Sequence, residues 1–246
     1  MSAETIAAHA VLEIISLSKR YGEKLALDAV SFSLQPGEVL GIAGHNGSGK
    51  STLLSLVSQT LRPDSGRIVH EGKDILGDRE FLKNHVGYIP QQDGLLEDLT
   101  VEETLRAWQS LCAAPSDAVR KDAEAWLGLS PLLRKRISAL SGGMKKRVSI
   151  ALALLNQPDI LIMDEVAAAL DRKYGQALAE FLLDFTKKGG SVLYCSHQKE
   201  ELLQLCDRLL VLRNGTVIFY DGCAALPEDA AQSDGLFYLE DENERK

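Results

Sequence analysis

Apolar and polar residues alternate along the chain with two periods, one typical of strands and the other of helices. Segment 30–34 places apolar residues at every second position before Pro36, which predicts a half-buried strand. Segment 38–43 is almost wholly apolar, as expected for a strand that is buried on both faces. Apolar residues then recur at helical spacing over 51–61, and Pro63 follows as a helix stop.

The rest of the chain continues this alternation of strands and helices. Apolar runs predict strands at 86–89, 159–163 and 191–195, and helical periodicity predicts helices at 145–155 and 174–186. Thr100 and Glu103 form a capping box at the start of a helical region between Gln91 and Leu140. Two apolar runs flank Asn214-Gly215, a strong β-hairpin signal. The pattern predicts an α/β fold with a mainly parallel sheet, an antiparallel layer before it and an all-helical insert.

The amino-acid composition further restricts the class of protein and its possible functions. The chain has 246 residues, 45% apolar and 25% charged, which fits one large domain or two intertwined subdomains and excludes a disordered chain, a collagen-like chain and a disulfide-stapled mini-protein. Its formal net charge of −8 argues against nucleic-acid binding, because neutralising phosphates needs a basic face. The four cysteines lie far apart without a Cys-x-x-Cys pair, which argues against a zinc knuckle or dithiol site.

We expect neither a signal peptide nor a membrane span. The first residues lack the positive and then apolar regions of a signal peptide. The most apolar stretch, 148–155, is far shorter than the ~20 residues that cross a bilayer.

A glycine-rich loop follows the predicted strand 38–43. It matches the pattern G-x-x-x-x-G-K-[ST] with Gly44, His45, Asn46, Gly47, Ser48, Gly49, Lys50 and Ser51. The glycines let consecutive backbone N–H groups cradle phosphate oxygens at a helix N-terminus. The pattern places the Lys50 ammonium on the β- and γ-phosphates and the Ser51 hydroxyl on Mg²⁺. The alternative is a turn that only caps the helix, and the strand before the loop and the helix after it favour the phosphate loop.

A second candidate element is the apolar run 160–163, which ends in Asp164 and Glu165. In a chain with a phosphate loop, Asp164 can hold Mg²⁺ through water, and Glu165 can polarise the water that attacks the γ-phosphate. The alternative is that Glu165 only caps the helix that follows.

Between these two elements lies Leu140-Ser-Gly-Gly-Met144, followed by a predicted helix. With this segment the chain resembles the ATP-binding subunit of an ATP-binding cassette (ABC) transporter over residues 11–222. Leu-Ser-Gly-Gly is the signature of that family, and Met144 in its last position is a variant associated with exporters that resemble the ABC-2 type. The implied fold is that of a P-loop NTPase (RecA-like). It has a parallel sheet core, an antiparallel β layer and an inserted α-helical subdomain at about 92–150, with an acidic tail at 223–246.

The resemblance also implies roles for single residues. Tyr21 would stack on adenine, loop 44–52 with Thr52 would bind the phosphates, and Gln91 would reach Mg²⁺. Gln92 is a neighbouring candidate for that role, and a tyrosine packed inside a hairpin is the alternative for Tyr21. The magnesium ligands would be Ser51, Gln91 and Asp164, and the catalytic residues would be Lys50, Glu165 and His197.

Other residues would act between two ATPase subunits. Ser141, Gly142, Gly143 and Met144 would contact the ATP of the partner subunit, and Asp171 would end the D-loop that contacts that partner. His197 would be the switch histidine that touches the γ-phosphate, with a capping or core histidine as the alternative. Val166 stands where the family often has proline, and Ala167-Ala168-Ala169 stands where it often has Ser, Thr or Asn. We expect these departures to weaken communication across the dimer.

The implied protein is an ATPase subunit that binds ATP and Mg²⁺ and pairs with an identical or different ABC ATPase. It would drive a separate integral membrane permease from the cytoplasmic face, with export as the expected direction. Leu95, Leu96 and Leu99 would dock the permease, or else fill the core of the insert. A soluble ABC ATPase of another class, such as an iron–sulfur assembly subunit, stays open as the alternative. ABC ATPases that act on nucleic acid or ribosomes carry two cassettes or long inserts, which this chain lacks.

Overall fold

The computed structural model describes residues 10–112 and 115–223, which fall into two units. The first unit comprises residues 10–77 and 191–223, and the second comprises residues 78–190, apart from the gap. The acidic tail predicted for 223–246 lies outside the described residues from 224 onward. The predicted limits of the ATPase domain and of its helical subdomain stay predictions.

Strands and helices follow one another along both units. In chain order they begin with β1 (Leu12–Tyr21), β2 (Lys24–Leu34), β3 (Val39–Ala43), α1 (Lys50–Val57), β4 (Ser65–His70), β5 (Lys73–Asp74), α2 (Arg79–His85), β6 (Val86–Ile89), α3 (Val101–Leu111) and α4 (Asp117–Trp126). They continue with α5 (Gly142–Leu154), β7 (Ile160–Asp164), α6 (Arg172–Lys187), β8 (Ser191–Cys195), α7 (Lys199–Leu205), β9 (Arg208–Arg213) and β10 (Thr216–Gly222).

The first unit holds an antiparallel layer and a mainly parallel sheet. The antiparallel layer has the strand order β2-β1-β4-β5. In the other sheet, β10, β9, β3 and β8 follow one another, and β3 runs parallel to both β8 and β9. All five residues of β3 and all five of β8 are buried, as their apolar sequences predict. Tyr220 joins the two layers, since its hydroxyl donates to the Ser33 carbonyl oxygen at 2.6 Å.

The second unit combines the parallel pair β6–β7 with most of the helices. α3 begins with the predicted capping box, in which the Thr100 hydroxyl accepts from the Glu103 backbone N–H and the Glu103 carboxylate accepts from Thr100. Between α4 and α5, short 3₁₀ turns at Ser130–Leu132 and Ile137–Ala139 bring apolar residues into the core of the insert. This core contains Val101, Leu105, Leu127, Leu129, Leu132 and Ile137, each at most 5% exposed.

Two helix boundaries and one whole helix differ from the prediction for physical reasons. α1 ends at Val57 instead of Leu61, because Gln59 adopts the left-handed backbone conformation at φ +54°. α5 begins at Gly142, three residues before the predicted start, because the Ser141 hydroxyl caps the helix and so includes the two glycines in its first turn. α2 was not predicted, because Phe81 and Leu82 are its only apolar residues and two adjacent positions make no periodic stripe. The hairpin across Asn214-Gly215 is confirmed.

Candidate functional site

The backbone of the glycine-rich loop leaves no room for side chains at two positions. Gly44 has φ +144°, and a Cβ there would lie 2.3 Å from the Leu212 carbonyl oxygen. Gly49 has φ +111°, and a Cβ there would lie 2.7 Å from the Ala26 carbonyl oxygen. Glycine is therefore required at both positions by conformation and by close approach, which a turn that only caps a helix does not need.

Lys50 places its charge inside this loop. Its Nζ donates to the carbonyl oxygens of Gly44 at 2.7 Å and His45 at 3.0 Å, and the residue is only 6% exposed. A buried ammonium bonded to neutral carbonyls has no counter-charge among these partners, so an anionic phosphate oxygen would be a stronger acceptor. The loop therefore has the geometry and the charge of an anion site.

The remaining loop residues line its rim and the first turn of α1. Asn46, Gly47 and Ser51 are exposed and Thr52 is half-buried, so the Ser51 hydroxyl is accessible. The His45 ring nitrogen Nδ1 hydrogen-bonds to the Asn46 carbonyl oxygen at 2.7 Å, which holds the rim in place.

The turn between β9 and β10 supports the loop from behind. The Gly215 N–H donates to the Ser48 carbonyl oxygen at 3.0 Å, and the Asp28 N–H donates to the Gly215 carbonyl oxygen at 2.9 Å. Asn214 and Gly215 both have positive φ, as a tight hairpin turn requires. The hairpin was predicted from the sequence, but its contact with a segment more than 150 residues earlier carries no local signal.

Tyr21 is available for stacking. It ends β1, pairs with Lys24 across the turn into β2 and is 50% exposed. A tyrosine that packs inside a hairpin would be buried, so its exposure favours a surface role for the ring.

His197 lies exposed in the loop after β8, and the residues around it brace that loop. Glu201, in α7, accepts hydrogen bonds from the Ser196 hydroxyl and, at 2.7 Å, from the buried Tyr194 hydroxyl. Ser196 also accepts from the Gln198 N–H at 3.0 Å, so both neighbours of His197 are held. Burial, followed by the proximity of Glu201, raises the pKa of Tyr194, which keeps its hydroxyl protonated as a donor. Sequence reasoning missed Glu201.

In the second unit, Gln91 and Glu165 meet directly. Gln91 Nε2 donates to Glu165 Oε2 at 2.7 Å. The register of β6 and β7 explains the contact, since Ile89 lies opposite Met163 and each partner follows two residues later. Glu165 has φ +50°, an uncommon backbone conformation for a residue with a side chain. The structure thus favours Gln91 over Gln92, and the helix that follows is capped by Asp171 rather than by Glu165.

Asp164 precedes Glu165 and is 2% exposed at the end of the fully buried strand β7. A carboxylate, the Gln91 amide oxygen and the Ser51 hydroxyl are oxygen donors of the kind that Mg²⁺ prefers, so their chemistry fits that ion. Within the described residues, no group of three or more His, Cys, Asp or Glu side chains is placed to hold a metal.

The signature segment forms a helix N-terminus, as predicted. The Ser141 hydroxyl caps α5 by accepting from the Met144 N–H at 3.4 Å, and both Ser141 and Gly142 are exposed. A Cβ at Gly143 would lie 2.7 Å from the Ala169 carbonyl oxygen, so this glycine lets the signature pack against the alanine segment. Asp171 caps α6 by accepting from the Tyr174 N–H at 3.1 Å.

The lysines after the signature hold the segment that follows β6. Lys146 is 2% exposed, and its Nζ donates to the carbonyl oxygens of Pro90 and Gln91 and to the Asp93 carboxylate. Lys145 pairs with Glu97 at 2.6 Å. A run of adjacent charges usually indicates a solvated surface, so sequence reasoning did not single out these contacts.

No helix in the described ranges combines the length and the apolar character that spanning a bilayer requires.

A family model described as "ABC transporter" matches residues 27–168. Among curated proteins, the chain is 36% identical over 211 residues to the Nod factor export ATP-binding protein I of Ralstonia nicotianae. It is 35% identical over 211 residues to the linearmycin resistance ATP-binding protein LnrL of Bacillus subtilis. Both matches cover 85% of this chain, but they span only 66% and 68% of the respective relatives.

Solved structures show the same likeness. The chain superimposes on an ATP-binding subunit of an ABC transporter with a TM-score of 0.80 at 29% identity, covering 92% of this chain and 94% of that one. It superimposes on a dimeric bacterial ABC transporter cassette with a TM-score of 0.79 at 25% identity, covering 87% of this chain and 100% of that one. A dimeric post-hydrolysis state of a cassette bound to ADP and Pi gives a TM-score of 0.77, also at 25% identity.

Proposed function

This chain belongs to the ABC transporter family and is an ATP-binding cassette with the ATPase function of that family; we propose that it powers export through a separate membrane permease. The family and the fold class predicted from the sequence are thereby confirmed. The direction of transport is supported by the relatives, whose names describe Nod factor export and linearmycin resistance. None of these findings favours an iron–sulfur assembly role.

The observation that carries the hydrolytic role is the Gln91–Glu165 hydrogen bond. The Gln91 amide donates to Glu165 Oε2 and so holds one oxygen of this carboxyl group in place, which leaves the other oxygen to receive a proton from water. We assign Glu165 as the general base that orients and polarises the attacking water. The exposed His197 would donate to the γ-phosphate, from a loop that Glu201 braces.

The phosphate loop would bind the triphosphate through its backbone N–H groups and through Lys50. Magnesium, held by Ser51, Gln91 and Asp164, would supply charge neutralisation at the β- and γ-phosphates when bound. Tyr21 would stack on the adenine ring.

A second cassette would complete each nucleotide site. The exposed helix N-terminus at Ser141 and Gly142 offers backbone N–H groups to an anion, and here that anion would be the γ-phosphate of ATP on the partner ATPase. The alanine segment 167–169 presents no polar side chain to such a partner, so Asp171 would supply the polar D-loop contact. The partner can be an identical chain or a different cassette.

The stacking role of Tyr21 can be tested with nucleotides and with bare triphosphate. We expect Tyr21→Ala to weaken ATP binding by the ~1–3 kcal/mol of one base stack, about 5- to 150-fold. Tyr21→Phe, which keeps the aromatic face, should bind ATP as the wild type does. Competition of ATP and inorganic tripolyphosphate for the same site provides the measurement. An equal loss for both ligands in Tyr21→Ala would contradict stacking.

The surface for the permease lies on the helical insert. Leu96 is 67% exposed, whereas Leu95 and Leu99 are half-buried and belong partly to the insert. Trp108 and Leu111, on α3 of the same insert, are 50% and 64% exposed. We infer that these exposed apolar side chains contribute to one surface that a protein partner covers. We propose that a short cytoplasmic helix of the permease covers Leu96, with the chain held at the cytoplasmic face of the membrane.

Leu96→Ser tests this surface, with Leu183→Ser as the matched control because Leu183 is 53% exposed on α6. Burying a leucine contributes about 1.5–3 kcal/mol, so Leu96→Ser should weaken capture by the permease about tenfold or more. The ATPase activity and melting temperature of the isolated chain should stay near those of the wild type. Co-purification with the permease in detergent is the measurement. Undiminished capture of Leu96→Ser would place the docking surface elsewhere.

A further inference from the structure

We propose that Lys146 is a positioning residue for ATP hydrolysis, because it holds the backbone that carries Gln91 and through Gln91 orients Glu165. The proposal rests on the assignment of Glu165 as the general base. Lys146 lies outside the signature residues Ser141–Met144, and its hydrogen bonds reach neither the side chain of Gln91 nor Glu165. Its influence would therefore pass through the main chain.

The surroundings of Lys146 use all three of its N–H donors. Nζ donates to the Pro90 carbonyl oxygen at 2.7 Å, to the Gln91 carbonyl oxygen at 3.0 Å and to Asp93 Oδ1 at 2.8 Å. The side chain of Lys146 is 2% exposed and that of Asp93 is 11% exposed. Burying an ammonium group is costly unless its charge is paired and its donors are satisfied, and both conditions are met here.

Lys146 acts on the segment after β6, which would otherwise be loosely held. Gln91 is exposed, so packing does not determine the position of its side chain. Its backbone carbonyl is bonded to Lys146, and its side-chain amide is bonded to Glu165 at 2.7 Å. Lys146, Gln91 and Glu165 therefore form a continuous chain of hydrogen bonds from α5 to the end of β7.

The α5 end of this series of hydrogen bonds is firmly anchored. Arg147, the next residue of α5, donates to the Leu127 carbonyl oxygen at 3.0 Å and lies 4.1 Å from the centroid of the Tyr174 ring. Val148 and Ile150 are at most 1% exposed, so α5 is packed into the core of the unit. A lysine on such a rigid helix can hold a loop in a fixed position.

A plain structural ion pair is the competing explanation, and it would need only Asp93. The two explanations separate because the carbonyl bonds and the ion pair can be removed independently. Asp93→Asn removes the opposite charge and keeps both carbonyl bonds. Lys146→Met with Asp93→Asn removes the carbonyl bonds without leaving an unpaired buried carboxylate. Lys145→Met is the matched control, since Lys145 is the neighbouring lysine and pairs with Glu97.

Steady-state ATP hydrolysis by the full chain, with kcat and KM determined separately, tests the proposal. We expect Lys146→Met/Asp93→Asn to lower kcat about 10- to 100-fold, as a small misplacement of a reacting group does, with KM for ATP within about twofold of the wild-type value. Asp93→Asn and Lys145→Met should keep kcat within about twofold of wild type. A wild-type kcat in the folded double variant would overturn the proposal, and so would an equal loss in Asp93→Asn alone.

Two further variants separate the role of Lys146 from poor folding and from the assignment of the general base. If the melting temperature shows that Lys146→Met/Asp93→Asn folds poorly, Lys146→Met/Asp93→Leu replaces the pair by apolar side chains and is judged by the same criteria. Glu165→Gln is measured alongside. Full turnover in Glu165→Gln would refute the general base and with it the proposed function. Loss of turnover in Glu165→Gln together with a wild-type kcat in the double variant would refute only the role of Lys146.

Discussion

Lys50→Ala should weaken ATP binding at least about 100-fold and should reduce turnover with it, while leaving the fold intact. The Lys50 ammonium is the buried positive charge of the phosphate loop, and a hydrogen bond between charged groups contributes about 1.5–3 kcal/mol. Contacts to both the β- and γ-phosphates would add to about 3–6 kcal/mol, so the affinity for ATP should fall at least about 100-fold. Equilibrium binding of a fluorescent ATP analogue and steady-state hydrolysis measure the two effects.

The fold should survive because, within the part of the chain that the structure describes, the Lys50 ammonium donates to two carbonyl oxygens of its own loop. Loss of these bonds should cost about 1–3 kcal/mol, which lowers the melting temperature of a chain of this size by several degrees. Lys73→Ala is the control, since Lys73 is an exposed lysine in β5 of the same unit. Near-normal ATPase activity in a well-folded Lys50→Ala protein would refute the assignment of the phosphate loop.

The elements that could be predicted from the sequence are those whose physical cause is local. The phosphate loop is contiguous, and Gly44 and Gly49 have positive φ, which is a property of the local backbone just after a strand. The capping box of α3 and the Asn214-Gly215 turn likewise depend on neighbours within four residues. Such features leave a pattern in the order of residue types.

The contacts that could not be predicted depend on which strands lie side by side. Gln91 and Glu165 are 74 residues apart, and each lies just beyond the end of its strand. The sequence indicates that both follow apolar strands, but it does not indicate that β6 and β7 are neighbours. Sequence reasoning assigned a role to Gln91 only through the family resemblance, whereas it assigned the role of Glu165 from the apolar run before it and the phosphate loop.

Lys146 shows a different limit of prediction from the sequence. In the sequence it belongs to a run of three basic residues, which normally indicates a solvated helix face. In the structure it is buried, because Asp93 and two carbonyl oxygens converge on it from a segment more than fifty residues earlier. Hydrophobic periodicity assigns such a residue to the wrong side of the helix, since its burial depends on long-range polar partners.

The second large effect is expected for Glu165→Gln. Removing the general base should lower kcat by about 10²- to 10⁴-fold, because a positioned base contributes that much to a proton transfer. The new amide oxygen can still accept the hydrogen bond from Gln91 Nε2, so the segment after β7 should keep its geometry. ATP affinity should therefore remain near that of the wild type. Glu200→Gln, the same change at an exposed position in α7, is the control.

Bound ATP should then accumulate between two cassettes, because it contacts the phosphate loop of one subunit and the signature of the other and is no longer hydrolysed. Size-exclusion chromatography of Glu165→Gln with ATP in the absence of Mg²⁺ should show a dimer, and the same protein with ADP should show a monomer. If the natural partner is a different cassette, Glu165→Gln alone will elute as a monomer with either nucleotide, and the dimer will form only after that partner is added. Full turnover in Glu165→Gln would contradict the general-base role. A monomer with ATP both alone and with a second cassette would contradict the sandwich arrangement, in which the exposed N-terminus of α5 binds the partner's nucleotide.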